Sequence, residues 1–131
     1  MFIDASALVA MLADEEDGPE LARRLEQGTT RLTSPLAVWE ATVALARILD
    51  RSPKHAEREI NQLLTLTQTE MVDLPGSIAH AATDAFDRYG KGRHMASLNF
   101  GDCFAYACAK HYRLPLLYKG GDFALTDIEA A

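Results

Sequence analysis

Met1-Phe2-Ile3-Asp4-Ala5-Ser6 runs directly into Ala7-Leu8-Val9-Ala10-Met11-Leu12. Phe2 and Ile3 predict a short buried strand, and the Ala- and Leu-rich segment behind them predicts a helix. Asp4 then falls at the carboxyl end of a strand, where open α/β sheets bind their ligands. A carboxylate there, with the Ser6 hydroxyl two residues on, can hold a hard divalent cation. The same Asp also suits a helix N-cap that accepts an orphan backbone N–H. At this point both readings stand.

At 131 residues and 48% hydrophobic, the chain fits one domain, residues 1–131, with a real core. It carries no basic-then-apolar leader. Its longest nearly apolar run, Ala5 to Ala13, is far short of the roughly 20 residues that span a bilayer. A soluble, cytoplasmic protein without membrane contact is expected. Cys103 and Cys108 are five apart in one predicted helix, so they point about 140° apart and read as buried reduced thiols. Four scattered histidines without a Cys/His pair at ligand spacing argue against zinc. The net charge of −6 argues against nucleic-acid binding, unless an acid cluster binds metal and so reverses the local field.

Further along, Asp17-Gly18-Pro19-Glu20 predicts a helix start, with Asp17 as N-cap and Glu20 reaching back. That helix stops at Gly28. Thr29 to Thr33 is β-prone, and Ser34-Pro35 opens a helix to about Leu49-Asp50. In it Leu36, Trp39, Val43 and Ala46 are spaced as a buried stripe. Glu40 projects from the stripe's edge, where a carboxylate loses solvation unless a cation or donor meets it. The alternative is a Glu that turns out to Arg47 or solvent.

Ser52-Pro53 opens an amphipathic helix with Ile60, Leu63, Leu64 and Leu66 inward. Glu70 to Leu74 is the third strand, with Asp73 a turn residue before Pro75. Ser77 to Tyr89 forms a helix with Ile78, Ala81, Ala82, Ala85 and Phe86 facing inward. Arg88-Tyr89-Gly90-Lys91-Gly92-Arg93-His94 is the most basic segment, a glycine loop suited to a phosphate backbone and a stacked base. A solvated surface turn is the plainer reading of it. Asn99-Phe100-Gly101-Asp102 is a capping pattern before the nearly all-apolar Cys103 to Ala109. Asp102 gains from the helix macrodipole in that first turn, but an acid against so apolar a helix suggests a cation. Leu114 to Tyr118 is the last strand, and Lys119-Gly120-Gly121-Asp122-Phe123 turns after it to deliver another acid.

Short strands alternating with helices predict a parallel sheet with right-handed crossovers, whose strand ends open on one side. Asp4, Glu40, Asp102 and Asp122 can therefore converge. Like charges in one pocket repel unless neutralised, and oxygen-only ligation suits Mg²⁺ or Mn²⁺. Such ions can activate a water and steady the leaving oxygen of a phosphodiester. There is no Ser/His/Asp or Cys/His nucleophilic arrangement, and no Walker-type phosphate loop.

Four segments together resemble the PIN-domain ribonucleases, and within them the VapC toxins of type II toxin-antitoxin pairs. They are Phe2-Ile3-Asp4-Ala5-Ser6, Trp39-Glu40-Ala41, Leu98-Asn99-Phe100-Gly101-Asp102-Cys103-Phe104-Ala105-Tyr106-Ala107 and Leu116-Leu117-Tyr118-Lys119-Gly120-Gly121-Asp122-Phe123. The resemblance spans essentially the whole chain, and the Asp102 segment is its most specific part. It implies a three-layer α/β fold with a short, mainly parallel central sheet flanked by helices. The implied activity is a Mg²⁺- or Mn²⁺-dependent endoribonuclease cutting structured RNA such as tRNA or ribosomal RNA. The implied state is a homodimer silenced by a cognate VapB-type antitoxin. Asp4, Glu40 and Asp102 carry over as catalytic metal ligands, with Ser6 as a supporting hydroxyl. The fourth acid maps to Asp122, beside Phe123, with Gly121 the alternative position. Lys91, Arg93 and His94 match a basic loop read as RNA contacts.

Two other readings have specific requirements. A receiver-like phosphorylation switch would use Lys119 after the last strand, but it needs paired acids after the first, and Asp4 stands alone. A PIN fold kept as a catalytically weak protein-binding module would not need all four acids, which are present.

Overall fold

The computed structural model describes all 131 residues, Met1–Ala131. Its elements run β1 (Phe2–Ile3), α1 (Ala5–Leu12), α2 (Gly18–Gln27), β2 (Leu32–Thr33), α3 (Pro35–Ile48), α4 (Pro53–Leu66), β3 (Glu70–Met71), α5 (Ser77–Tyr89), α6 (Phe100–Tyr112) and β4 (Leu116–Leu117), before a 3₁₀ turn at Phe123–Leu125. The four strands form one parallel sheet in the order β3-β2-β1-β4. β1 lies inside it, with Phe2 opposite both Leu32 and Leu116 and Ile3 opposite Leu117.

Successive side chains of a strand point to opposite faces, and two residues suffice to build two cores. Ile3 and Leu117 pack with α1, α2, α3 and α4 on one face. Phe2 and Leu116 pack with α5 and α6 on the other. Phe2, Ile3, Leu116 and Leu117 are all fully buried. The result is the expected three-layer arrangement of helices, sheet and helices. The crossovers from β1 through β3 cover one face, and the return to β4 covers the other. The strand order therefore reverses beside β1, between the ends of β1 and β4, which is the place where doubly wound sheets open a crevice.

Capping chemistry sets most helix starts. Ser34 accepts from the Ala37 N–H at 3.1 Å and Ser52 from the His55 N–H at 3.2 Å, each ahead of a proline. The predicted cap at Asp17 does not form. Its backbone is already helical, with φ −80° and ψ −12°, so its side chain cannot turn back to the first N–H groups. Glu20 instead binds Arg23.

Half of the predicted apolar stripe of α3 is corrected, since Ala46 is buried and Leu36 partly so, but Trp39 and Val43 are not. Trp39 is 62% exposed and Val43 43% exposed, whereas Ala37, Val38, Ala41, Thr42 and Leu45 are buried. α3 packs on α1 and α4 through Val38, Ala41, Leu45 and Ala46, and that leaves its largest side chain outward. Leu66 of α4 and Phe86 of α5, both expected inside, are exposed as well. Replacing Leu45 by Ala is therefore expected to cost about 2–5 kcal/mol in urea denaturation. Trp39→Ala should cost less than about 1 kcal/mol. The reverse order would restore the stripe with Trp39 inside.

Candidate active site

Asp4, Ser6, Glu40, Asn99, Asp102 and Lys119 line one cavity of about 550 Å³ at the carboxyl ends of β1 and β4. Three elements bring the acids there. Asp4 is the residue between β1 and α1, and its N–H donates to the Leu117 carbonyl at 3.0 Å, which locks it to β4. Its carboxylate oxygen Oδ2 accepts from the Ser6 N–H at 2.9 Å and from the Ser6 hydroxyl. Cap and candidate ligand are thus the same side chain, and the two readings of Asp4 do not compete. Ser6 Oγ in turn accepts the Lys119 N–H at 3.0 Å, so the turn after β4 is tied to the acid after β1.

Asp102 repeats the arrangement on α6. Its Oδ2 accepts from the Asn99 N–H at 2.8 Å, while Asn99 Oδ1 accepts from the Asp102 N–H at 3.0 Å. This reciprocal capping box fixes the first turn of α6. Glu40 comes from the middle of α3 and pairs with neither Arg47 nor any other cation. Its carboxylate lies against Gly101, where an added Cβ would overlap both oxygens. Gly101 is therefore the place where α3 reaches the start of α6.

Electrostatics mark these acids as a set. Burial holds the Asp4 carboxyl above its ordinary range against the opposing pull of the Ser6 bonds. Burial, then the charges of Asp4 and Asp102, raise Glu40 to about 7. Asp102 is raised to about 6 by burial and by Asp4 and Asp122, with the Asn99 N–H opposing. The donor set is all oxygen, which matches hard cations. No three acidic, histidine or cysteine side chains stand close enough to hold an ion by themselves. Waters or substrate oxygens would complete the shell, as suits Mg²⁺, which keeps several waters and takes few carboxylates.

The remaining candidates lie outside. Asp122 is exposed at the start of the 3₁₀ turn and does not line the cavity, although its charge is felt at Asp102. Lys91, Arg93 and His94 sit in a closed loop, where Lys91 N–H donates to Leu98 O and Leu98 N–H to Tyr89 O. Arg93 pairs with Asp87. His94 Nδ1 accepts from the Ala96 N–H at 3.0 Å, and its ring meets Tyr89 edge-on.

The cavity also holds Glu15, Trp39, Val43 and Arg47, which the sequence reading did not gather. Helical spacing could have found Arg47, since seven residues from Glu40 return to the same face. Lys119 follows β4 much as Asp4 follows β1. Glu15, paired with Lys119, had no local signal, because only the turn between α1 and α2 delivers it.

The PIN-domain family profile matches residues 1–129. The chain belongs to the PIN-domain family. Over 128 residues it is 41% identical to VapC ribonuclease Mb0640 of Mycobacterium bovis, covering 98% of this chain and 95% of that protein. It is likewise 41% identical over 130 residues to a ribonuclease VapC of Mycolicibacterium smegmatis, covering 99% and 98%. These relatives place it among the VapC ribonuclease toxins. A crystal structure of Mycobacterium tuberculosis VapC20, a sarcin-ricin loop cleaving toxin, superposes with a TM-score of 0.75. The overlap covers 99% of this chain and 97% of that one at 17% identity, a likeness of fold.

Two outcomes follow from the geometry. With Glu40 and Asp102 raised, the folded metal-free chain keeps protons that the unfolded chain has lost. These groups therefore favour folding most below about pH 4 and lose that contribution as pH rises to about 7. Asp127, lowered to about 2 by the Tyr106 hydroxyl and nearby cations, acts oppositely at the acid end. In chelator, stability should fall by on the order of 2 kcal/mol between about pH 5 and pH 7.5, after discounting for solvent. Glu40→Gln with Asp102→Asn should flatten that slope in urea titrations. Gly101→Ala, in turn, should displace the Glu40 carboxylate and cut ribonuclease activity about tenfold to a hundredfold, with an unchanged or higher melting temperature. Full activity in Gly101→Ala would remove Glu40 from the site.

Proposed function

We propose that this VapC ribonuclease is a Mg²⁺- or Mn²⁺-dependent endoribonuclease toxin that cleaves structured RNA, tRNA or ribosomal RNA being the substrate class. In this reading a cognate VapB-type antitoxin holds it inactive. The observation that carries the proposal is the meeting of Asp4, Glu40 and Asp102 in one cavity, with carboxyls that burial holds above their ordinary range and, at Glu40 and Asp102, neighbouring acids raise further. That arrangement is costly to an empty pocket and favourable to a cation.

Asp4, Glu40 and Asp102 would hold the ion. When bound, it supplies the positive charge that activates a water and steadies the leaving oxygen. The chain's own groups do the positioning. Ser6 orients Asp4, and Asn99 orients Asp102 through the capping box. Glu40 has no cation partner within the chain, so its carboxylate is available to the ion as the third ligand. Asp122 acts from outside the cavity through its charge at Asp102. Lys91 and Arg93, both exposed, are phosphate contacts for RNA beyond the cut site, on a loop whose shape His94 maintains.

A homodimer is supported by the apolar groove between α5 and α6, where Phe86 and Phe100 are 42% and 64% exposed. No helix is long and apolar enough to cross a membrane, and action on cytoplasmic RNA accords with that.

Antitoxin-free protein should cut total cellular RNA in Mg²⁺ or Mn²⁺ and not in EDTA. Asp102→Asn should lose this activity by on the order of a thousandfold or more, while keeping the fold, because the amide oxygen still accepts the Asn99 N–H. Wild type that is silent across RNAs and metals would leave a protein-binding PIN module as the reading.

A further inference from the structure

Besides its acid, α3 presents a second row of side chains to the same cavity. Trp39, Val43 and Arg47 follow one another at four-residue steps along one helix face, and all three line the cavity. The row extends about 12 Å. Trp39 is the chain's only tryptophan, and the core makes little use of it. It also lines a second cleft with Pro53 and Lys54 of α4, so open space lies on two sides of the side chain. Arg47 enters none of the chain's ion pairs, whereas the cavity's other cation, Lys119, is held by Glu15 and Asp17. The cavity wall therefore offers an exposed aromatic next to Glu40, then an apolar step, then an uncommitted cation about two helical turns away.

Single-stranded RNA is recognised by just such a pairing of an aromatic platform with a cation on the backbone. We infer that Trp39 stacks on an unpaired base and Arg47 contacts a phosphate of a single-stranded RNA segment lying along α3 into the active site. The inference rests on the ribonuclease reading and deepens it, since a substrate must then offer an unpaired base beside the scissile bond. Charge favours RNA over a protein partner here. In a cavity lined by four acids, Arg47 is the position left open to an anion, and the aromatic lies on the same row.

A lone tryptophan makes its emission a direct readout. Full-length Asp102→Asn protein, which leaves RNA uncut, is titrated with octaadenylate and with an eight-unit abasic ribose-phosphate strand. Octaadenylate should quench the emission saturably, and the abasic strand should bind about tenfold more weakly or worse. Arg47→Gln should weaken both strands alike and reduce the salt dependence of binding. In the otherwise wild-type chain, Trp39→Ala should raise KM about tenfold with little change in kcat, and Trp39→Phe should restore much of the loss. Circular dichroism melting shows that each variant is folded. Octaadenylate binding with unchanged emission, equal binding of the two strands, or an unaltered KM in folded Trp39→Ala would overturn the inference and assign this face to a protein partner. Failure of the underlying reading looks different, because wild type would then cut no RNA in either metal, and both conclusions would fall together.

Discussion

A carboxylate buried at the end of a two-residue strand is the constraint on which the rest depends. Asp4 is 4% exposed, with β4 on one side and the start of α1 on the other. Such a group survives in the interior only when hydrogen-bonded or met by positive charge. Ser6 supplies part of this through two bonds to one oxygen. The macrodipole at the start of α1 supplies a further part. The cavity over the remaining surface then becomes a place where a cation lowers the energy of the folded chain.

The same economy recurs at α6. Asp102 spends one oxygen on the cap that starts its helix, so the feature that makes the helix also aims the acid. Glu40 is different, because nothing in its own helix turns it inward. It reaches the site because α3 packs its alanine face on α1 and because Gly101 leaves room for a carboxylate at the start of α6. Local capping thus places two of the acids, and tertiary packing places the third. Asp4 raises both Glu40 and Asp102, and Asp102 raises Glu40 in turn, so a change at Asp4 is felt at the other two acids.

How much was legible from the sequence divides along that line. The strand at Phe2–Ile3, the helix starts at Ser34 and Ser52, and the Asn99–Asp102 box were readable, because each depends on residues within a few positions. The three-layer arrangement was implied by the family resemblance, and the structure supplies its local cause, Ile3 facing one core and Phe2 the other. The orientation of α3 was not readable. The 3- and 4-residue spacing of apolar residues put Trp39 inside, whereas the face that α3 buries carries Ala37, Val38, Ala41, Thr42 and Leu45. Asp17 looked like a cap by type but has the wrong backbone conformation for one. Asp122 shows the same limit, because the turn at Gly120, with φ +100°, leaves it outside the cavity it was expected to enter.

The claim that joins fold to chemistry is that Asp4, Glu40 and Asp102 form one cation site. Calorimetric titration of Mn²⁺ into the antitoxin-free protein at about pH 7.5, with Asp4→Asn in parallel, tests it without reference to any substrate. Saturable binding in the wild type that weakens by on the order of tenfold or more in a folded Asp4→Asn variant is the result this account requires. Equal binding by the two proteins, or none by the wild type, would contradict it.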